Sequence, residues 1–264
     1  MISLMTAIMA SAMYLLSSYY LSRCVRKRLP KGVSRRLPIL IAASMGLVLH
    51  TMSLTLNLFT QELMLFSFGN ALSLVGWIGV FSLLIISLNK PTETLGIFIF
   101  PLAAIVTFMP YVFDSTNTIS YALGSHIIIS VFAYSLLGLA AAQAILFSIQ
   151  ERRFQQRKLT QLIQALPPLQ VMEKTLIQLV LTGFIVLSFG IASGAYFIEN
   201  FFDQHLAHKT FFSLLAWFTY AYFLVGRFRF GWRGQTAAKF TLGAYIFLLI
   251  SFIGTQLILM AIQH

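Results

Sequence analysis

Leu123-Gly124-Ser125-His126-Ile127-Ile128-Ile129-Ser130-Val131-Phe132-Ala133-Tyr134 opens an apolar run that continues without a charge to Ile149, where Gln150-Glu151-Arg152-Arg153 ends it. At 1.5 Å per residue a helix over 123–149 extends about 40 Å, more than the ~30 Å of a bilayer's hydrocarbon core. The run is continuously apolar where a membrane barrel strand would alternate, so the spanning form is helix. Composition extends that reading to the whole chain: 264 residues, 58% hydrophobic, 9% charged, with a mean hydropathy of +0.84. A water-soluble domain of this size carries far more charge, so the solvent is lipid.

Working outward, eight apolar runs of spanning length stand at 2–22, 37–58, 66–88, 95–113, 123–149, 175–198, 211–226 and 240–262. They predict an all-α, polytopic membrane protein in which residues 1–264 form a single eight-helix membrane domain. No Lys or Arg precedes the first run, so it lacks the basic n-region of a cleaved signal peptide and is read as a retained span. Seventeen of the 18 Lys and Arg residues fall in the connections 23–36, 89–94, 150–174 and 227–239, and Lys209 alone falls on the other side. The positive-inside rule makes those loops cytoplasmic and places both termini on the outer, periplasmic side of a bacterial inner (plasma) membrane. It also accounts for the net charge of +11 without nucleic acid, since basic loops meet anionic lipid headgroups. Membrane lipid is therefore an expected partner and nucleic acid is not.

The outer connections are short and mildly acidic, with Glu62, Asp114, Glu199 and Asp203, so chemistry on that side belongs to the helix ends. Gly190 and Gly194 form a GxxxG, Gly138 and Ala142 a small-xxx-small pair, and Gly76 and Gly79 flank Trp77; all are packing features first. Pro101 and Pro110 fall in the fourth run, where each removes a backbone donor and is expected to kink the helix. Cys24 is the single cysteine, which excludes an internal disulfide and any CxxC motif.

Polar groups inside a span are costly, and those that persist are functional candidates. No Asp, Glu, Lys or Arg lies deep in any run, which argues against an ion-coupled transporter and leaves histidine. His50 lies 14 residues past Arg36, about 21 Å into the bilayer. It is either a ligand or a buried imidazole hydrogen-bonded to a neighbouring helix. His126 stands at the outer end of the fifth run with Ser130 and Tyr134 below it on one helical face; it either faces the bundle interior or simply meets water. His205 and His208 lie in the last outer connection, and His264 ends the chain on the same side. A His-xx-His near Asp203 lacks the further ligands of a tetrahedral zinc site. No Gly-x-Ser-x-Gly elbow or Ser-His-Asp set is legible, so the chain reads as non-catalytic. Histidines gathered at one face suit haem, with imidazoles as axial ligands and apolar and aromatic walls such as Trp77, Trp217 and Tyr134 around the porphyrin.

The stretch Ser125–Tyr134, followed by Gln150-Glu151-Arg152-Arg153, Leu166-Pro167-Pro168-Leu169 and Met172-Glu173, resembles the cytochrome c assembly (CcsA/HemX-like) membrane family. So do Lys209-Thr210 with Trp217, Tyr220-Ala221, Arg227, Gly231-Trp232-Arg233-Gly234 and Phe252-Ile253-Gly254. The likeness is strongest from 124 to 254, and size and layout are most similar to the YpjD-type inner-membrane members. The resemblance implies haem handling through paired histidines beneath an outer tryptophan-rich segment. Here that segment is Asn200–Lys209, with no tryptophan. On the family pattern His126 and His50 are the cofactor-binding candidates, with His264, offset by one position, or His208 as the second outer ligand. The expected function is binding of b-type haem, its iron held through His126, in support of cytochrome c or other haem-protein assembly or of tetrapyrrole homeostasis. Haem-assembly or other membrane proteins are the expected partners. A different class of function is a non-haem membrane scaffold whose basic cytoplasmic loops recruit partners. Loop 150–174 supports it, with Leu159, Leu162, Ile163, Leu166 and Leu169 as an apolar face beside Arg152, Arg153, Arg157 and Lys158. A small-molecule transporter is weaker still, for want of buried carboxylates or a repeat between the halves.

Overall fold

The computed structural model describes residues 2–26, 33–59, 64–89, 93–113, 117–156, 166–197 and 204–262. In chain order these form α1 (Ile2–Arg26), α2 (Val33–Leu58), β1 (Met64–Phe66), α3 (Phe68–Asn89), a 3-10 turn (Glu93–Leu95), α4 (Gly96–Val106), α5 (Met109–Val112), β2 (Asn117–Ile119), α6 (Tyr121–Gln155), α7 (Leu169–Phe197), α8 (Gln204–Phe230) and α9 (Gln235–Ile262). Seven of the described helices are long and apolar enough to cross a membrane: those containing Ile2–Cys24, Arg36–Leu58, Phe68–Leu88, Leu123–Gln155, Leu169–Tyr196, Lys209–Phe230 and Gln235–Phe252. Large apolar side chains face outward along them, among them Ile8, Met45, Val48, Leu56, Ile185 and Ile246. An outer surface of that chemistry belongs in hydrocarbon.

The fourth predicted run, 95–113, is the one that differs. It is a shorter apolar pair, Gly96–Val106 and Met109–Val112, interrupted at Thr107 and Phe108. Pro110 has no N–H to give the Val106 carbonyl, so the α pattern cannot run through. Thr107 N still bonds Ala103 O at 3.0 Å, but Phe108 N turns to Ile105 O at 3.1 Å, a tighter turn, before α5 begins. Pro101 sits inside α4 without ending it. Gly69 of α3 packs on the carbonyl of Met109, a closeness that leaves no room for a Cβ. The strands form a short antiparallel ribbon with Met64 opposite Ile119 and Phe66 opposite Asn117, a small addition to the all-α expectation.

The chain divides into two compact units: Met1–Gly124 with Arg153–Pro168, and Ser125–Arg152 with Leu169–His264. In the first, α1 packs on α2 and α4, and α3 on α2, α4 and α5. Tyr14, fully buried, stacks on Phe100 with ring centroids 6.4 Å apart. Gly46 lies under Tyr14, where a Cβ would stand 2.8 Å from the ring. At one end Tyr111 ties α5 to α2, its hydroxyl accepting from Asn57 Nδ2 at 3.1 Å and lying 3.3 Å from Ser53 Oγ.

The second unit is built from α6, α7, α8 and α9. Its core includes Leu137, Leu176, Tyr220, Phe223 and Leu248. Small residues set the spacing: Gly138 leaves room for the Tyr245 hydroxyl, and a Cβ on Gly183 would lie 2.6 Å from Leu137. Gln143, 1% exposed, donates from Nε2 to Met172 O at 3.1 Å and ties α6 to α7.

Candidate functional site

His126 lines a small cavity in the second unit, with Ser130 and Tyr134 on the same face of α6, Gly190 and Gly194 on α7, and Lys209 and Ser213 on α8. The GxxxG pair is what admits it. A Cβ at Gly194 would fall 2.9 Å from His126 Cε1, and one at Gly190 would fall 3.4 Å from Ser130 Oγ. Two bare turns of α7 thus receive the imidazole and the serine one turn below it.

The hydrogen bonds orient the ring. Ser193 Oγ donates to Gly190 O at 2.9 Å. His126 Nδ1 lies 2.9 Å from the same oxygen. With the hydroxyl proton on Gly190 O, Nδ1 donates to Ser193 and Nε2 is left with the lone pair. Nε2 has no hydrogen-bond partner among the described residues. An imidazole held this way through its other nitrogen is the arrangement by which proteins orient a metal-binding histidine.

Below the ring the cavity is polar on one side. Tyr134 OH lies 3.4 Å from Ser213 Oγ, and Ser213 Oγ lies 2.9 Å from Ser251 Oγ. Ser251 in turn donates to the Lys209 carbonyl at 2.9 Å, so α9 steadies the start of the apolar part of α8. Lys209 lines the cavity with His126, a fixed cation beside an uncharged nitrogen donor. The cavity measures about 70 Å³. Sites that enclose a cofactor run from roughly 300 Å³ upward. What the described residues provide is thus a nitrogen donor beside a small cavity; that donor chemistry would suit haem iron, and the cavity the described residues form is smaller than the macrocycle.

His50 has a different setting. It is fully buried in the first unit, its Nε2 2.8 Å from Ser73 Oγ on α3 and its Nδ1 3.2 Å from Tyr14 OH on α1. Thr107 Oγ1, at the break after α4, lies 3.5 Å from Nδ1. Both ring nitrogens are engaged, and acting as a ligand would require giving up one of these partners. Of the other candidates, His264 lies outside the described residues, and His205 and His208 lie in α8 where no side chain is described. Among the described residues no group of three or more His, Cys, Asp or Glu is placed to hold a metal ion. Trp217 donates to Ser188 Oγ at 2.8 Å and stacks on Phe184, outside the lining of the His126 cavity. Trp77 donates to Thr51 Oγ1 at 2.8 Å in the first unit.

At the far end of the second unit's helices a second polar cluster gathers motifs that are distant in sequence. Gly231-Trp232-Arg233-Gly234 turns from α8 to α9 with Gly231 at φ +69° and Gly234 at φ +60°, backbone that L side chains rarely adopt. Gly234 N donates to Glu173 Oε1 at 3.3 Å, and Gln235 Nε2 to Glu151 Oε2 at 2.6 Å. Arg227 donates to Trp232 O at 3.2 Å and faces Glu173 at 3.9 Å. Trp232 folds back over Gly226 and stacks on Phe240 with centroids 5.1 Å apart. One carboxylate from α6 and one from α7 thus hold the α8–α9 turn. Of the apolar face expected in the preceding loop, Leu159, Leu162 and Ile163 lie outside the described residues, while Leu166 is buried and Leu169 half-buried.

His126, Ser130 and Tyr134 stand out in the sequence on one helical face and both glycines as a packing pair, whereas Ser193 as the group that orients the ring and Lys209 as its neighbour do not. The available signal was the position of Ser193 beside Gly194 in the GxxxG.

A family model described as cytochrome C assembly protein matches residues 39–262. The chain is 27% identical over 235 residues to the inner membrane protein YpjD of Escherichia coli strain K12, covering 86% of this chain and 88% of that protein. It is 30% identical over 135 residues, half of each chain, to an uncharacterized 28.8 kDa protein of Azospirillum brasilense. No solved structure matches.

Proposed function

The chain belongs to the cytochrome c assembly protein family, and on that premise we propose that it is a multi-pass, non-catalytic inner-membrane protein that binds b-type haem transiently through His126. Its role is to support cytochrome c or other haem-protein assembly, or tetrapyrrole homeostasis. The observation that carries the reading is His126, which bonds Ser193 through Nδ1 and lines a cavity with Lys209, while its Nε2 has no hydrogen-bond partner among the described residues. Bound haem would supply an iron that accepts a nitrogen donor, and carboxylates that carry negative charge. His126 would offer that nitrogen. Lys209 would offer a cation to a carboxylate. A cavity of this small size favours loading and release over permanent retention. Inner-membrane residence follows the relation to the Escherichia coli protein. We read Gly96–Val112 as an eighth crossing, with both termini and His126 on the outer side, because the basic loops then all face the cytoplasm.

Purified protein is expected to show a Soret band as isolated or after haem addition, and its absence in both cases would sink the proposal. His126→Ala should lose most of the bound haem while His205→Ala keeps it. If instead both histidine variants bind haem normally, and replacing the basic residues of loop 150–174 releases a membrane partner, the scaffold reading is the correct one.

A further inference from the structure

On the second unit, away from the His126 cavity, a groove of about 480 Å³ runs along α8 against α7. Phe184 of α7 forms one wall, and α8 forms the other with Ala221, Leu224, Val225 and Phe228, followed by Phe230 past the end of the stripe. The first four of these α8 residues make the stripe. These four fall at i, i+3, i+4 and i+7, a single stripe about 10 Å long. The small side chain of Ala221 leaves the slot open between larger neighbours. Arg229 stands at one end of this apolar stripe.

Arg229 contrasts with Arg227, two residues earlier. Arg227 is committed to Trp232 O and Glu173. Arg229 is exposed and has no hydrogen bond or ion pair to a described residue. An unbranched apolar slot ending in a free guanidinium has the pattern of an acyl chain leading to an anionic head, and the planar guanidinium matches phosphate oxygens two at a time. A second copy of the chain fits less well, because a two-fold contact centred on this groove would bring Arg229 toward its own equivalent.

We propose that this groove is a specific site for an anionic phospholipid, one acyl chain lying along Ala221–Phe228 and the headgroup phosphate resting on Arg229. The site is independent of the haem reading. Native mass spectrometry of the full chain in mild detergent tests it, with phosphatidylglycerol and phosphatidylcholine of matched chains as probes. Wild type should retain phosphatidylglycerol in preference to phosphatidylcholine. Arg229→Gln should lower phosphatidylglycerol retention about fivefold, the factor for losing about 1 kcal/mol of headgroup attraction, and leave phosphatidylcholine unchanged. Ala221→Phe, which fills the slot, should lower both, while Arg152→Gln, a cation outside the groove, should change neither. Equal retention of the two lipids by wild type, or no effect of Arg229→Gln, would overturn the proposal. So would a concentration-dependent dimer whose crosslinks join α8 to α8 across the groove.

Discussion

Replacing Ser193 with alanine removes the acceptor for His126 Nδ1 while leaving the imidazole in place. The tautomer is then no longer set, and haem affinity should fall roughly 10- to 100-fold, the usual cost of losing a partner that orients a metal-binding histidine. Titration followed at the Soret band measures this. Affinity equal to wild type would mean that the hydrogen bond does not prepare the ring. His50 should respond in the opposite way. His50→Ala deletes a fully buried ring and strands the hydroxyls of Tyr14 and Ser73, a loss of about 3 kcal/mol. His126→Ala, at a half-buried position with one hydrogen bond, should cost less. Thermal unfolding in detergent compares the two, and the reverse order would refute the assignment. Both histidines stand out in the residues, because imidazoles are rare within a span. Which one had its nitrogens already engaged was not, since Tyr14 and Ser73 lie 36 and 23 positions away from His50.

At the level of elements, two glycine arrangements set the site. Gly194 holds α7 against the His126 ring, so Gly194→Ala should shift the imidazole and cost about 1–3 kcal/mol of packing strain. Haem binding should fall with it, in the same spectroscopic titration. The α8–α9 turn depends on Gly231 and Gly234 differently. Both require positive φ, but a Cβ at Gly234 would also stand 3.2 Å from Glu151 Oε1, whereas nothing lies within 4 Å of Gly231. Each alanine substitution should cost about 1–2 kcal/mol for the backbone alone. Gly234→Ala should therefore lower the unfolding temperature more than Gly231→Ala, and the opposite ranking would show that Glu151 moves away freely. GxxxG could be read as a packing motif from spacing. That Glu151 and Glu173 converge on one turn could not, because those contacts join residues 84 and 61 positions apart.

For the whole molecule, the testable quantity is sidedness. In a background with Cys24→Ser, a cysteine at Lys209 should react with a membrane-impermeant thiol reagent from outside intact spheroplasts, and one at Arg233 only after lysis. Labelling of both from the same side would remove the eight-span topology. The basic loops made this prediction from sequence alone, because lipid charge and membrane potential act on Lys and Arg wherever the fold places them. The fourth run is where hydropathy hid a break: 95–113 reads as one continuous stretch, yet Pro110 divides it into two short helices.

The solvent, the helical form and the family are all legible in the residues. Each follows from composition or from short local motifs, and hydrocarbon permits few backbone solutions. Tertiary structure alone decided that His50 is locked between Tyr14 and Ser73, that His126 keeps Nε2 open through Ser193, and that Arg229 ends an apolar groove while Arg227 is tied down. Those distinctions depend on which atom of a side chain already has a partner, and the partners come from helices far apart in the chain. Hydrogen bonding is settled at about 3 Å, after packing has brought the helices together.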